Sequence, residues 1–349
     1  MDIFKVISEL TTLPGVTGNE VAVAEVLKGY FRAYTDDVWL DVAGNCYARI
    51  GNKEGPTLLV MAHMDEVGLM VSDIEDNGML RLHSVAGVDP RVLPGSEVTV
   101  HGKKRIPAVI GAMPPHLLSA EDQKKNYKLD DLVCDTALPA EEVKANVSVG
   151  DNVTFALYPP MELKNGFIAG KTFDDRACVA AMLYTMELLK NVKLNCNLIF
   201  CGSTQEEGPN FGASCGSWNT APDMAIAIDV CHAPQPGAKS TDYVEFDQVS
   251  LTVGSNVNQK MYEWMCDVGT EMNINWVADP CMGHSGTDAH RMQVACAGVA
   301  TGIISLPLRY MHTSVEVIHM DTLKNCAKLL AGFAASIGED WEEKLCLDD

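Results

Sequence analysis

The sequence is poor in positive charge and has no long apolar run. Its 349 residues carry 26 Lys plus Arg against 47 Asp plus Glu, a formal charge of −21 with His neutral. A surface so acidic repels phosphate backbones and anionic headgroups, so no nucleic acid and no membrane is expected as a partner. No stretch approaches the ~18 uninterrupted apolar residues of a membrane span. The opening MDIFKVISELTTLPG carries charges at Asp2 and Lys5 and has no signal-peptide core, so a cytoplasmic protein is expected. No CxxC pair occurs among the twelve cysteines, which are scattered from Cys46 to Cys346, many inside apolar runs such as NCNLIFCGS. That argues against a disulfide scaffold or a structural zinc site and for buried thiols in a reducing compartment. KNGFIAGK and the other Gly-rich stretches lack phosphate-loop spacing, which removes nucleotide binding.

What is present is a globular composition, 47% hydrophobic and 21% charged, in a chain long enough for one large domain or two. Helical periodicity over 2–12 and 19–33 precedes the first strands, with Thr17 or Asn19 expected to cap the second helix. From Val38 to Ile50 and from Thr57 to Ala62 the pattern turns β-compatible, and TLLVMA reads as a strand covered on both faces. Between Val67 and Pro159 short β-prone pieces (LRLHSVA, SEVTVHG, PAVIGAM, DNVTFAL) alternate with Gly, Pro and Asp turns, and no long amphipathic helix intervenes. The α/β rhythm then returns, with helices expected near 175–191, 259–272 and 320–337 and strands at NLIFCGS, MAIAIDV, INWVA and GVATGIIS. The simplest architecture is one α/β domain formed by 1–66 plus 160–349, with a small all-β, barrel-like module at 67–159 inserted into it.

In such sheets ligands gather beyond the carboxyl ends of the strands. TLLVMA runs into His63-Met64-Asp65-Glu66, NLIFCGSTQ into Glu206-Glu207, MAIAI into Asp229, and GIISLPLRYM into His312; Asp174-Asp175 opens a helix. Two His and several carboxylates on one rim are a donor set for zinc, cobalt or manganese, and they exceed what one ion needs. The surplus suggests two ions ~3.5–4 Å apart sharing a carboxylate. Strand alternation puts His63 and Asp65 on one side, so Asp65 can orient the His63 imidazole. Glu206 and Glu207 point apart, so one can bind metal while the other accepts a proton from water. The remaining His, at 83, 101, 116, 232, 284, 290 and 319, read mostly as surface or loop residues.

LPGVTGNE at 13–20, AHMDEVGLMV at 62–71, KTFDDRA at 171–177, TQEE at 204–207, AIDV at 227–230, SGTDA at 285–289 and PLRYMHTSVEV at 307–317 span nearly the whole chain. On these motifs the sequence resembles the cytosolic dinuclear-metal aminopeptidases of the glutamyl aminopeptidase and tetrahedral (TET) aminopeptidase family, some of whose members carry an endoglucanase label. The resemblance implies a mixed-sheet α/β/α metallopeptidase domain in which the inserted module serves dimerisation and assembly. It implies one ion on His63, Asp174 and Asp229 and a second on Asp174, Glu207 and His312, with Asp174 bridging, Glu206 as general base and Asp65 as the orienting acid. The Asp174–Asp175 bond is a candidate cis peptide. Self-assembly to dimers and twelve-subunit particles that accept short peptides is implied too.

The chain departs from the family pattern at Cys178, where Gly is usual, at Gly208–Phe211 after the paired glutamates, and through 114–138, which keeps only its outline. The leading expectation is a metal-dependent aminopeptidase. The alternatives are a deacylase of acylated amino acids, a glycoside hydrolase and a catalytically silent assembly protein.

Overall fold

The strand Thr57–His63 shows why the centre of this chain is so apolar. Its side chains alternate between two separate cores: Leu58 and Val60 pack with one, Leu59 and Met61 with the other. Asn197–Ser203 divides the same way, with Leu198 and Phe200 on one face and Ile199 and Cys201 on the opposite face. A strand covered on both faces needs apolar residues at every position, so these runs belong in the middle of a layered structure.

The computed structural model describes residues 1–347. The main sheet is mixed. In spatial order it runs Val38–Leu40, Cys46–Gly51, Asn197–Ser203, Thr57–His63, Met224–His232, Ala300–Arg309, Glu316–His319, Phe167–Gly170, Met161–Glu162. Val249–Gly254 also pairs with Ala300–Arg309, and Trp276–Cys281 lies beyond it. The four central strands are parallel, in a register that sets Ser203 opposite His63 and Asp229 opposite Ser305. Helices Ile3–Thr11, Val21–Phe31, Phe173–Leu189, Gln259–Glu271 and Met320–Ser336 contribute to the larger core. Phe211–Thr220 and Ala289–Met292 contribute to the smaller core. No helix among the described residues is long and apolar enough to cross a membrane.

Six antiparallel strands, Gly68–Ile74, Leu80–Val85, Leu132–Asp135, Arg105–Ala112, Glu97–His101 and Asn152–Phe155, close into a separate barrel. Closure leaves no free edge. Ile106, Ala108 and Ile110 alternate inward along one strand and meet Val71, Leu80, Val98, Val100 and Val153 in a core of the barrel's own. Its one α-helix, Ala140–Asn146, buries Val143 against that core.

One local expectation fails. Neither Thr17 nor Asn19 caps the helix Val21–Phe31; Glu20 occupies the cap position without a side-chain cap bond. The reason lies in the neighbouring site: the Thr17 hydroxyl donates to Asp65 Oδ2 at 2.8 Å, and Glu20 Oε1 accepts from the amides of Gly18 and Gln205. All twelve cysteines are free.

Candidate metal centre

The parallel register delivers the polar residues together. His63 is the last residue of its strand, and the chain beyond Ser203, its neighbour in register, forms the loop that carries Glu206 and Glu207. Asp229 lies on Met224–His232, next across the sheet. Asp174 and Asp175 have non-helical backbone at the start of Phe173–Leu189, and the peptide bond between them is cis. His312 sits in the turn between Ala300–Arg309 and Glu316–His319.

Asp174 stands between the two histidines. Its Oδ1 lies 3.1 Å from His63 Nε2 and its Oδ2 3.3 Å from His312 Nε2. His312 Nε2 is also 3.2 Å from Glu207 Oε1. Two sets of ligand atoms result, His63–Asp174–Asp229 and Asp174–Glu207–His312, each with all its atoms within 4.8 Å of one another. Glu206 points the other way from Glu207: its Oε2 is 3.7 Å from His63 Nε2, and its Oε1 accepts from the Asn210 side-chain Nδ2 at 2.9 Å.

The electrostatics of this cleft ask for added positive charge. Burial pushes the carboxyls of Glu206 and Asp229 well above their usual range, against the pull of His63. Burial also raises Glu207, with the charge of Asp174 adding to it. At Asp174 burial acts upward too, but the two imidazoles outweigh it and hold the group below the usual range. His312 would be lowered by burial, yet contact with Asp174 and Glu207 takes it up to about 11. Four carboxylates, three buried and Glu207 largely so, cannot all be ionised beside only two imidazoles without a large cost, and divalent cations remove that cost. Glu207 Oε1 is buried with no hydrogen-bond donor, as a ligand atom would be. The mixed oxygen and imidazole donors of each set are of the kind that holds a divalent metal ion.

Around these groups the cleft is tightly braced. Asp65 Oδ1 approaches His63 Nδ1 at 3.4 Å, and its two oxygens accept from the amides of Glu206 at 3.0 Å and Glu207 at 3.1 Å. Asp65 thus fixes the glutamate loop as well as facing His63. Asp175 Oδ2 accepts from the His63 amide at 3.0 Å. Several non-glycine residues here adopt left-handed backbone, namely Thr172, Gln205, Asn210, Tyr310 and His312, a strained conformation that the surrounding contacts hold in place.

Sequence reasoning missed Glu316. Buried at 2% exposure, it accepts from the Phe173 amide at 2.7 Å and the Asp174 amide at 3.2 Å through Oε2. Its Oε1 accepts from the His312 amide at 2.9 Å, so one carboxylate ties two of the candidate ligands together. The available signal was a lone acid inside the apolar stretch VEVI. Also missed was the buried knot in which Glu66 meets Lys171, Thr172 and Arg176, while Arg176 donates to the carbonyls of Met64, Leu10 and Leu13. Cys178 packs behind the centre, its thiol 3.3 Å from the Asp229 carbonyl oxygen. None of the seven other histidines joins either ligand set.

The sequence model of the M42 glutamyl aminopeptidase family matches residues 44–329. The chain belongs to that family. Membership makes it a hydrolase, aminopeptidase activity is the activity of the family, and M42 peptidases are metallopeptidases. The chain is 30% identical over 333 residues to a lysyl aminopeptidase of Pyrococcus furiosus, with 93% of this chain and 95% of that protein covered. Its fold superposes on an aminopeptidase of the archaeon Desulfurococcus kamchatkensis with a TM-score of 0.92 at 30% identity, covering 99% of both chains. The TET1 peptidase of Pyrococcus horikoshii, described as assembling into a tetrahedron or a large octahedral shell, is similar at a TM-score of 0.84 and 28% identity, over 96% of this chain and 100% of that one.

Proposed function

We propose that this M42 hydrolase removes N-terminal residues from short peptides, with one ion held by His63, Asp174 and Asp229 and another by Asp174, Glu207 and His312. The observation that carries the reading is Asp174, whose two oxygens face the two histidines separately, as a bridging carboxylate's must. When bound, a pair of divalent ions acidifies water and polarises a carbonyl. Zinc or cobalt suits these donors best, with manganese third.

The chain's own residues supply the rest. Glu206 acts as general base: it takes a proton from the attacking water and passes it to the leaving amine, so its carboxylate must be free of the ligand sets. Its orientation, held by the Asn210 side chain and away from Glu207, supports that division of labour. Asp65 orients His63 and keeps both glutamates in register through their amides. Buried walls keep bulk water from competing for these groups.

The division of the chain into 1–66 plus 160–349 and an inserted 67–159 belongs to the same reading, with the barrel serving dimerisation and assembly toward a twelve-subunit particle. Its separate core and the shell-forming relative support that role. A cytoplasmic location accords with the free thiols.

The test is release of p-nitroaniline from aminoacyl substrates with added cobalt or zinc, before and after chelation. Metal-dependent release is expected. No metal-dependent release from any aminoacyl substrate would sink the reading, preference for blocked N-termini would favour a deacylase, and chelator-insensitive cleavage of soluble cellulose a glycoside hydrolase.

A further inference from the structure

Next to the two ligand sets a cavity of about 540 Å³ opens, bounded by Val230, Thr252, Asp279, Thr287, Ser305 and Met311 among others. Its place relative to Asp229 follows from strand register. Asp229 lies opposite Ser305, Ser305 opposite Ser250, and Thr252 opposite Asp279. Paired residues, and residues two apart on one strand, project from the same face of a sheet. Asp229, Ser305, Ser250, Thr252 and Asp279 therefore share one face, with Asp229 at the candidate metal end and Asp279 three strands away. Three steps of ~4.8 Å across the sheet and two residues, ~7 Å, along it make that about 16 Å between backbones. An extended lysine side chain spans roughly 6 Å from Cα to the ammonium, and the two aspartate side chains take up much of the remainder.

The chemistry of the cavity is one-sided. Asp279 is half-buried, and Ser250 Oγ donates to its Oδ2 at 3.0 Å. Its Oδ1 has no hydrogen bond, and the group no ion pair, among the described residues. The second acid on the wall, Asp242, is bonded locally, accepting from the Thr241 hydroxyl at 2.9 Å and the Lys239 amide at 3.3 Å. No Lys or Arg lines the cavity; its other ionisable groups are His232, His284, Tyr243, Cys231 and Cys281.

We propose that Asp279 is a specificity-determining residue, receiving the cationic end of an N-terminal lysine or arginine side chain in this cavity. The inference rests on the aminopeptidase reading above and adds the substrate class. The aliphatic stem of either residue would run along Val244 and Met311 while its charge meets Asp279. A leucine side chain would desolvate the Asp279 carboxylate without pairing it, and a glutamate would bring a like charge to it. This chain would then disfavour the acidic N-terminal residue after which its family is described.

The experiment compares kcat/KM for lysyl-, arginyl-, leucyl- and glutamyl-p-nitroanilide in the wild-type protein, Asp279→Asn, Asp279→Lys and Asp242→Asn, with inhibition by L-lysinol and L-leucinol as a binding readout. The wild type is expected to favour the two cationic substrates and to act most slowly on the glutamyl one. Asp279→Asn should lower the lysyl-to-leucyl ratio roughly 10- to 100-fold and weaken L-lysinol more than L-leucinol. Asp279→Lys should move the preference toward the glutamyl substrate, and Asp242→Asn should move the ratio less than Asp279→Asn does. Because a ratio is read within each variant, partial misfolding cancels. Efficient leucyl or glutamyl hydrolysis without a cationic preference, or a ratio unmoved in Asp279→Asn, overturns the role of Asp279 and leaves the aminopeptidase reading standing. Silence toward all four substrates overturns both.

Discussion

His63 and His312 approach the same carboxylate from opposite sides, one from the end of a central strand and the other from a turn at the mouth of the cleft. The His63 side chain is 2% exposed and that of His312 27%. All three members of the His63 set are buried, whereas Glu207 and His312 are only partly so. The backing differs as well. Asp65 and Asp175 stand behind His63, both close in the same sheet-and-helix framework. His312 has left-handed backbone, holds its main chain through Glu316, and meets with its Nδ1 the carbonyl of Gly87, which follows the barrel strand Leu80–Val85. One half of the centre is thus set by the sheet, and the other depends on a turn and on the barrel module.

That contrast can be broken or sharpened by substitution. The largest effect is expected where the halves join: Asp174→Asn should deplete both ions and cut kcat/KM at least roughly 1000-fold, read by elemental analysis beside kinetics. Glu206→Gln should lower kcat by about 100- to 10,000-fold with metal content unchanged, because it removes a proton acceptor and no ligand. If metal is lost as well, Glu206 belongs to a ligand set instead. Glu316→Gln should weaken metal affinity by about 10- to 100-fold, acting through Asp174 and His312 together. The smallest difference lies between the two sides themselves. Under graded chelation of the wild type, one ion should leave before the other, and His312→Ala should abolish the early phase while His63→Ala abolishes the late one. Simultaneous loss of both ions from the wild type, or loss of the same phase in both variants, would erase the distinction between the two halves.

How much of this was legible beforehand follows from what each residue does. The ligand positions were readable because a doubly covered strand is an unbroken apolar run, so the polar residue that interrupts it stands out against its neighbours, at the tip for His63 and inside the strand, three residues before its end, for Asp229. The barrel was readable from its alternation and turns, which Arg105–Ala112 keeps almost without exception. Other features left no such trace. The helix Phe211–Thr220, FGASCGSWNT, is built of small and polar residues whose spacing marks no face, and the strand Val249–Gly254 is short and carries Thr252 toward a cavity. Glu316 and Asn210 act through contacts with backbone amides and a carboxylate brought together only by folding. The cap expected at Thr17 failed for the same reason, since its hydroxyl is committed to Asp65, 48 residues away.

The most direct measurement is the number of transition metal ions per chain, by elemental analysis joined to anomalous scattering from crystals of the metal-loaded protein. Two ions per chain, with Asp174 between them and one histidine on each, is the expected result. A single ion, or two that do not share Asp174, would contradict the bridged two-metal centre.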